Sequence, residues 1–374
     1  METKLFVDWL RLTRSPHIGP VILRELIHHL GSPQAVLSAS RQQLAGLPIA
    51  RPALLATLEK FRREVPAQPI EGELQRLHDL GGRMLMLGAA DYPPLLAAIH
   101  DPPPALFVIG DASLLQAEAP IAIAGTRAAT HKGLGFGKEL AGALSRSGVV
   151  IFGGLSRGID AAAHLGALEA DGPTVAVLAT GLDVVHPREH RGLQQRIALK
   201  GCLVSEAPLG LQPVPWIFPA RARILAGLTR GVVIVEAPEN SGALITARMA
   251  LDQGREVFAV PALPNDPACR GNLNLLRQGA HLVERASDIL EALQWSRPVL
   301  LPPSTPLPSS PVPGLSGEVA AILAHIEAGA NQEDDLARCC QLTVAALSRI
   351  LLHLELSGLV QRLPGGRYVT TRNG

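Results

Sequence analysis

GVVIFGGLSRGID, residues 148–160, is the stretch on which the reading of this chain turns. Val149 to Phe152 run without a polar interruption and stop at Gly153-Gly154. A strand with one wet face would alternate apolar and polar residues, so this run predicts a strand buried on both faces, as in a parallel sheet covered by helices. Glycines at the strand end let the backbone turn tightly and come close to a ligand. The segment from Ile159 onward then reads as a helix whose start faces the end of the sheet.

The same pattern recurs on both sides. IAIAG (121–125), TVAVLATG (174–181), CLVSE (202–206), GVVIVEA (231–237), EVFAVP (256–261) and HLVE (281–284) are short apolar runs separated by helical stretches. The expected fold is α/β, a Rossmann-like doubly wound parallel sheet spanning 66–297 with its core at 105–290. Residues 1–65 read as short helices in a helix-hairpin-helix or SAM-like arrangement, with Gly19-Pro20 opening one helix. Such hairpins serve either a DNA phosphate or a packing contact. RPVLLPPSTPLPSSPV reads as a stiff linker, placed at 298–313. Three helical patterns and VQRLPGGRYVT (360–370) predict a winged helix over 314–374. Its third helix shows Arg349 and His353 as its basic residues, which favours a protein contact or a weak DNA contact over sequence reading.

Composition narrows the function. The 374 residues are 47% hydrophobic and carry a net charge of +1, so any anion site must come from local clustering. Two acid-free windows supply it: Glu118 to Glu139 holds Arg127, His131, Lys132 and Lys138, and Glu206 to Glu236 holds Arg221, Arg223 and Arg230. Aromatics make up 3%, which argues against broad base-stacking platforms. The four cysteines lack zinc or disulfide spacing. No run is long enough to span a membrane and no signal peptide is evident, so a cytoplasmic protein is expected.

Three chemical motifs fail on inspection. GGLSRG has Leu155 where a dinucleotide fingerprint needs glycine, and Gly137-Lys138 is followed by Glu139 where a P-loop needs Ser or Thr. Gly154-Leu155-Ser156-Arg157-Gly158 matches the G-x-S-x-G elbow of a serine hydrolase. However, no HGGG-type loop precedes it, and Asp183 lies too close in the chain to His186 for the hydrolase plan. His186 and His190 are four apart without a third ligand, so no metal is expected.

What remains is a crevice at the carboxyl ends of parallel strands, where open α/β sheets bind ligands. Arg127 and Arg157 bring charge there, and Phe218, Arg221 and Arg223 are expected to arrive on a loop. Arg157 and Asp160 read as a local pair. Glu206 and Glu236 read as acids that hold arginines in place.

The motifs, in order, resemble the DprA/Smf family: GTR (125–127), GGLSRGID (153–160) with His164, TGLDVVHP (180–187), SEAPLG (205–210), FPARARILAGL (218–228), VIVEAPENSGALITA (233–247), QGREVFAVP (253–261) and GNLNLLRQGAHLV (271–283). The resemblance covers about 105–290. It implies a cytoplasmic, dimeric, non-enzymatic protein without a cofactor. Such a protein binds and protects single-stranded DNA and assists loading of the RecA recombinase in natural transformation. By the same resemblance, the DNA site comprises Gly125, Thr126, Arg127, Gly154, Arg157, Arg188, Phe218, Arg221, Arg223, Ser241 and Gly242. The sequence departs from the family pattern at Ser156 (usually Ala), Ala222 (commonly Asn), His186 (often Tyr) and Ala262 (often Gly). The alternatives are a nucleotide-binding or nucleotide-cleaving Rossmann protein of the lysine-decarboxylase-like type, whose PGGxGTxxE is absent here, and a hydrolase using Ser156.

Overall fold

The computed structural model describes residues 2–13, 18, 20–52, 54–56, 58, 68–295, 315–329, 332–356, 359–363 and 367–370. The chain divides into two compact units, 1–296 and 297–374. The proline-rich segment expected at 298–313 lies outside the described residues.

The first unit opens with α1 (Glu2–Thr13), α2 (Pro20–Leu30), α3 (Pro33–Ser38) and α4 (Arg41–Ala45). Helix α2 starts at the proline that the sequence marked, where a missing N–H costs nothing. Ser32 and Ser40 cap the next two helices, Ser40 in a reciprocal capping box with Gln43. Trp9 and Leu12 of α1 join Leu23, Leu26, Val36 and Leu44 in a helical core. Its opposite side, Val7 and Leu10, belongs to another cluster with Leu77, Phe107 and Leu203, so α1 is shared between the helical core and the sheet.

The sheet has nine strands. After α5 (Gln68–Asp79), β1 (Gly82–Met86), α6 (Pro94–Ala97) and β2 (Ala105–Gly110) come the alternating units. These are β3 (Pro120–Ala124), α7 (His131–Arg146), β4 (Val150–Gly153), α8 (Ile159–Glu169), β5 (Thr174–Val177), α9 (Arg191–Lys200) and β6 (Cys202–Ser205). They continue as α10 (Ile217–Gly227), β7 (Gly231–Ile234), α11 (Ala243–Asp252), β8 (Glu256–Ala259), α12 (Arg270–Arg277), β9 (His281–Leu282) and α13 (Ala286–Ala292). The strand order is β1-β2-β6-β5-β4-β3-β7-β8-β9. All seven expected apolar runs are strands, and they pair in parallel. The unexpected part is the antiparallel edge, where β2 pairs with β6 and β1 with β2. The sheet is therefore mixed, and mostly parallel.

Residues of β3, β4, β5 and β7 are buried throughout, which is why their sequences show no polar alternation. From β3 the chain winds outward through β4, β5 and β6, then returns to lay β7 on the other side of β3. That reversal leaves a crevice at the carboxyl ends of β3 and β7 that no crossover fills.

The second unit is a three-helix module with α14 (Leu315–Glu327), α15 (Glu333–Cys339) and α16 (Val344–Leu356), followed by the hairpin β10 (Val360–Leu363) and β11 (Arg367–Thr370). Ile322, Ile326, Leu336, Leu347, Leu351 and Tyr368 are among the residues of its core. This is the winged helix that the sequence predicts. Arg349 is exposed on α16.

Candidate nucleic-acid interface

Strand β3 delivers Gly125, Thr126 and Arg127 to the crevice. The turn 154–158 meets them from β4. Gly158 makes that meeting possible: its φ is +77°, and a Cβ there would stand 2.2 Å from the Thr126 carbonyl oxygen. The Thr126 N–H in turn donates to the Glu236 carbonyl at 2.7 Å, so β7 ties to the same loop. The result is a cavity of about 440 Å³, walled by Arg127, Ser156, Phe218 and Arg221 on one side and Ser241 and Gly242 on the other. Gly242 is the N-cap residue of α11, and the positive end of that helix dipole faces the crevice, which favours an anion. A narrower arm of about 120 Å³ continues past Gly154, Arg157 and His186.

Arg127 is exposed, and its guanidinium lies over the Phe218 ring, 5.0 Å from the centroid. Among the described residues no carboxylate is within ion-pair distance of it. Phe218 therefore orients a free cation at the crevice mouth. His186 stands on the same ring at 6.2 Å, and burial with the nearby Arg127 lowers its pKa.

Phe218, Arg221 and Arg223 do not sit on a loop, as expected, but on α10. Two residues of separation on a helix is about 200° of rotation, so the two arginines face different ways. Arg221 lines the crevice. Arg223 is absent from its lining and points to the opposite side of α10. There it donates to Glu206 Oε2 at 2.7 Å, to the Asp101 carbonyl, and lies 3.5 Å from the Asp101 carboxylate. Glu206 thus holds an arginine, as its position suggested. Glu236 does not. It accepts from Thr130 N–H and Oγ1, the latter at 2.7 Å, and fixes the N-terminus of α7.

The Arg157–Asp160 pair is also corrected. Arg157 bonds to Glu189 at the surface, and that bond holds the Glu189 pKa down at about 2. Asp160 is buried. Its Oδ2 accepts from Gly154 N–H (3.1 Å), Ser156 N–H (3.4 Å) and Ser156 Oγ (2.8 Å), and faces Arg221 Nη1 at 3.9 Å. Burial raises the Asp160 pKa and lowers that of Arg221, in each case against the attraction of the other. Arg221 stays charged nonetheless, because guanidinium does not lose its proton in proteins. Its Nε and Nη1 have no hydrogen-bond partner, so the crevice wall carries an incompletely satisfied cation. Arg188 is exposed on the short turn Arg188–His190 beside Glu189 and lines neither cavity.

Sequence reasoning gave His164 no role of its own. It lies under Gly153 with Nδ1 2.8 Å from Thr174 Oγ1. The Thr174 hydroxyl donates its proton to the Ile151 carbonyl at 2.7 Å, so His164 must donate from Nδ1. Burial depresses its pKa to about 3, and the ring is neutral. Asn272 was missed too; it accepts from Ala237 N–H and donates to the carbonyls of Ile234, Val235 and Val260, sealing the ends of β7 and β8. Ser156 spends its hydroxyl on Asp160 rather than on an imidazole. Among the described residues no cluster of three or more His, Cys, Asp or Glu could hold a metal, and no helix is long and apolar enough to cross a membrane.

Fold and crevice define a Rossmann-like protein with a basic pocket at the topological switch point, in a chain that also carries a helical segment before the sheet and a winged helix after it in sequence. Residues 83–294 match the family described as DNA recombination-mediator protein A, residues 4–66 a DprA-like N-terminal HHH domain, and residues 305–366 a DprA winged helix domain. Protein Smf of Escherichia coli K12 is 37% identical over 372 residues, covering 97% of this chain and 95% of the relative. DNA processing protein DprA of Bacillus subtilis is 39% identical over 241 residues, 64% of this chain and 80% of the relative. The X-ray structure of DprA from Streptococcus pneumoniae matches with TM-score 0.68 and 32% identity, over 76% of this chain and 97% of that one. DprA from Helicobacter pylori, whose structure was described for its unique single-stranded DNA binding mode, matches with TM-score 0.52 and 29% identity, over 57% of this chain and 96% of that one. The chain belongs to the DprA/Smf family of DNA processing proteins.

Proposed function

We propose that this protein binds single-stranded DNA in the crevice at the ends of β3 and β7, without catalysing a reaction. One observation carries the reading: the unpaired Arg127 and the buried, incompletely satisfied Arg221 line the same crevice, whose far wall is the start of α11. Such a site stabilises phosphate oxygens and leaves bases unread, so binding is independent of sequence. The H. pylori relative supports the same ligand. Arg127, Arg221, Gly125, Thr126, Gly154, Ser241 and Gly242 form the site, with Phe218 positioning Arg127. Arg157 extends it along the narrow arm, Arg188 lies exposed outside both cavities, and Arg223 acts through the fold. The site calls for no cofactor. By its family the protein protects incoming DNA, acts as a homodimer and assists loading of RecA, with two sites along one strand raising avidity.

The test is fluorescence anisotropy with a labelled oligo-dT and a duplex of the same length. The single strand should bind more tightly, with an affinity that falls steeply with salt as counterions are released. Equal affinity for both forms, or salt-independent binding, would overturn the reading. Tighter binding of mononucleotides than of strands would favour a nucleotide-binding Rossmann protein instead.

A further inference from the structure

The turn from β4 into α8 has the form of an anion cradle, and the chain itself fills it. Leu155, at the centre of the turn, is buried with φ +56°, the left-handed conformation that a residue with a Cβ rarely adopts. There the N–H groups of Gly154 and Ser156 converge on one point, as backbone amides do in phosphate-binding nests. Asp160 Oδ2 occupies that point, 3.1 Å from the first nitrogen and 3.4 Å from the second, with the Ser156 hydroxyl at 2.8 Å as a third donor. A carboxylate that caps a helix accepts from N–H groups of its first turn. The donors here precede the Gly158 N-cap, so Asp160 serves the turn and not the helix that carries it. Its other oxygen, Oδ1, is buried without a partner, and the residue lines the crevice beside Arg221.

We propose that Asp160 determines specificity: its carboxylate occupies the place in which a free phosphate would be cradled, and so closes the crevice to mononucleotides while leaving Arg127 and Arg221 to a strand. The strand half of this inference rests on the proposed DNA-binding reading, and the exclusion rests on the turn. A glycine-rich turn between a parallel strand and a helix is where doubly wound folds hold the phosphate of a nucleotide. The terminal phosphate of a mononucleotide carries roughly 1.5 to 2 negative charges at neutral pH and three acceptor oxygens, more than two arginines on one wall satisfy. It needs the amides as well, and Asp160 holds them. A phosphodiester has a single charge, and its neighbours along the strand supply the further contacts. The crevice is thereby set for a polymer, and free nucleotides do not compete for it.

The experiment adds inorganic phosphate, and separately thymidine 5′-monophosphate, to the full chain and to its Asp160→Ala and Asp160→Asn variants, with ionic strength held constant by chloride. Thermal melting reads the stabilisation, and displacement of labelled oligo-dT reads the competition. Asp160→Ala empties the cradle. It should melt below the parent in chloride and regain stability in phosphate, because a ligand bound by the folded chain alone stabilises it. It should also bind the mononucleotide at least about tenfold more tightly than the parent, the size of one charge-assisted hydrogen bond. Asp160→Asn keeps an oxygen acceptor on the two amides, so the cradle stays filled and the variant should answer phosphate as the parent does. An Asp160→Ala chain that folds and gains nothing over the parent overturns the proposal, as does one that stays unfolded in phosphate. A gain that Asp160→Asn shows in full overturns it too, since loss of charge and not vacancy would then be the cause. A parent that binds no oligo-dT overturns the DNA-binding reading, and the exclusion still stands if Asp160→Ala gains phosphate.

Discussion

Gly154→Ala should abolish the contribution of Arg221 without touching Arg221. An alanine Cβ at 154 would stand 1.1 Å from Arg221 Nη1, 2.3 Å from its Cζ and 2.8 Å from Nη2. The guanidinium must leave, and it can, because it is the end of a flexible side chain. Gly154 is not in the left-handed region, so its backbone accepts alanine. Asp160 keeps its three hydrogen bonds to the 154–156 turn and loses only the ion pair at 3.9 Å, a cost of about 1–2 kcal/mol in stability. The effect on DNA is larger. A hydrogen bond from a charged group to phosphate is worth about 1.5–3 kcal/mol, so affinity should fall roughly 10- to 150-fold. The slope of log K against log salt should flatten by about 0.7 for the one lost phosphate contact on a single strand. Anisotropy titrations over a salt series read both quantities, and thermal melting confirms the fold. The double variant Gly154→Ala with Arg221→Ala should bind like Arg221→Ala alone, since one substitution has already done the work of the other. A folded Gly154→Ala protein with parental affinity and slope would refute the placement of Arg221 against DNA, and full additivity would refute the steric route.

Arg127→Ala should weaken single-strand binding at all sequences alike and flatten the salt slope by about 0.7, with melting unchanged because the side chain is exposed and forms no ion pair; an unchanged slope would move the phosphate site elsewhere. Ser156→Ala should cost about 1 kcal/mol of stability through the lost bond to Asp160 and leave DNA binding near parental, and the parent should resist a fluorophosphonate probe; specific labelling of Ser156 would restore a hydrolase. The pH dependence of stability should carry a signature of His164. Its folded pKa of about 3 lies below the unfolded value of about 6.5, so the unfolded chain binds the proton first and this contribution is lost as pH falls below about 6.5. Moving from pH 7.5 to pH 5 should remove about 2 kcal/mol in the parent that His164→Gln does not lose. The difference between parent and variant is the quantity to measure, because Asp160 and Glu206, with pKa values raised by burial, act in the opposite direction. Parallel pH profiles for the two proteins would mean that His164 is not buried neutral.

Much of the fold was legible because burial on both faces leaves a mark on composition. Ile121 to Ala124 and Val232 to Val235 could not be half-wet strands, and each was found in the sheet interior. The β1–β2 edge was not legible. GRMLM and ALFVIG are each one strand of an antiparallel edge, and nothing local tells such a run from a loop or a short helix until its partner is known. In the crevice, the ends of β3 and β4 were readable from glycine and arginine placed just after apolar runs. The roles of Arg221 and Arg223 were not, because two arginines in an acid-free window look alike in a list of residues.

By itself the sequence determined the order of buried strands, the turns at their carboxyl ends, the helical and winged flanks, and the family to which they belong. These are local properties: a run of apolar residues, a glycine, a proline at a helix start. Only the tertiary structure decided which charges are free. Arg157 pairs with Glu189, 32 residues away; Arg223 pairs with Glu206 and Asp101; Glu236 caps a helix by way of Thr130. Arg127 is left over Phe218, and Arg221, behind Gly154, keeps only Asp160 at 3.9 Å. The physical reason is that Coulomb attraction and hydrogen bonding act over a few ångströms of space and take no account of separation along the chain.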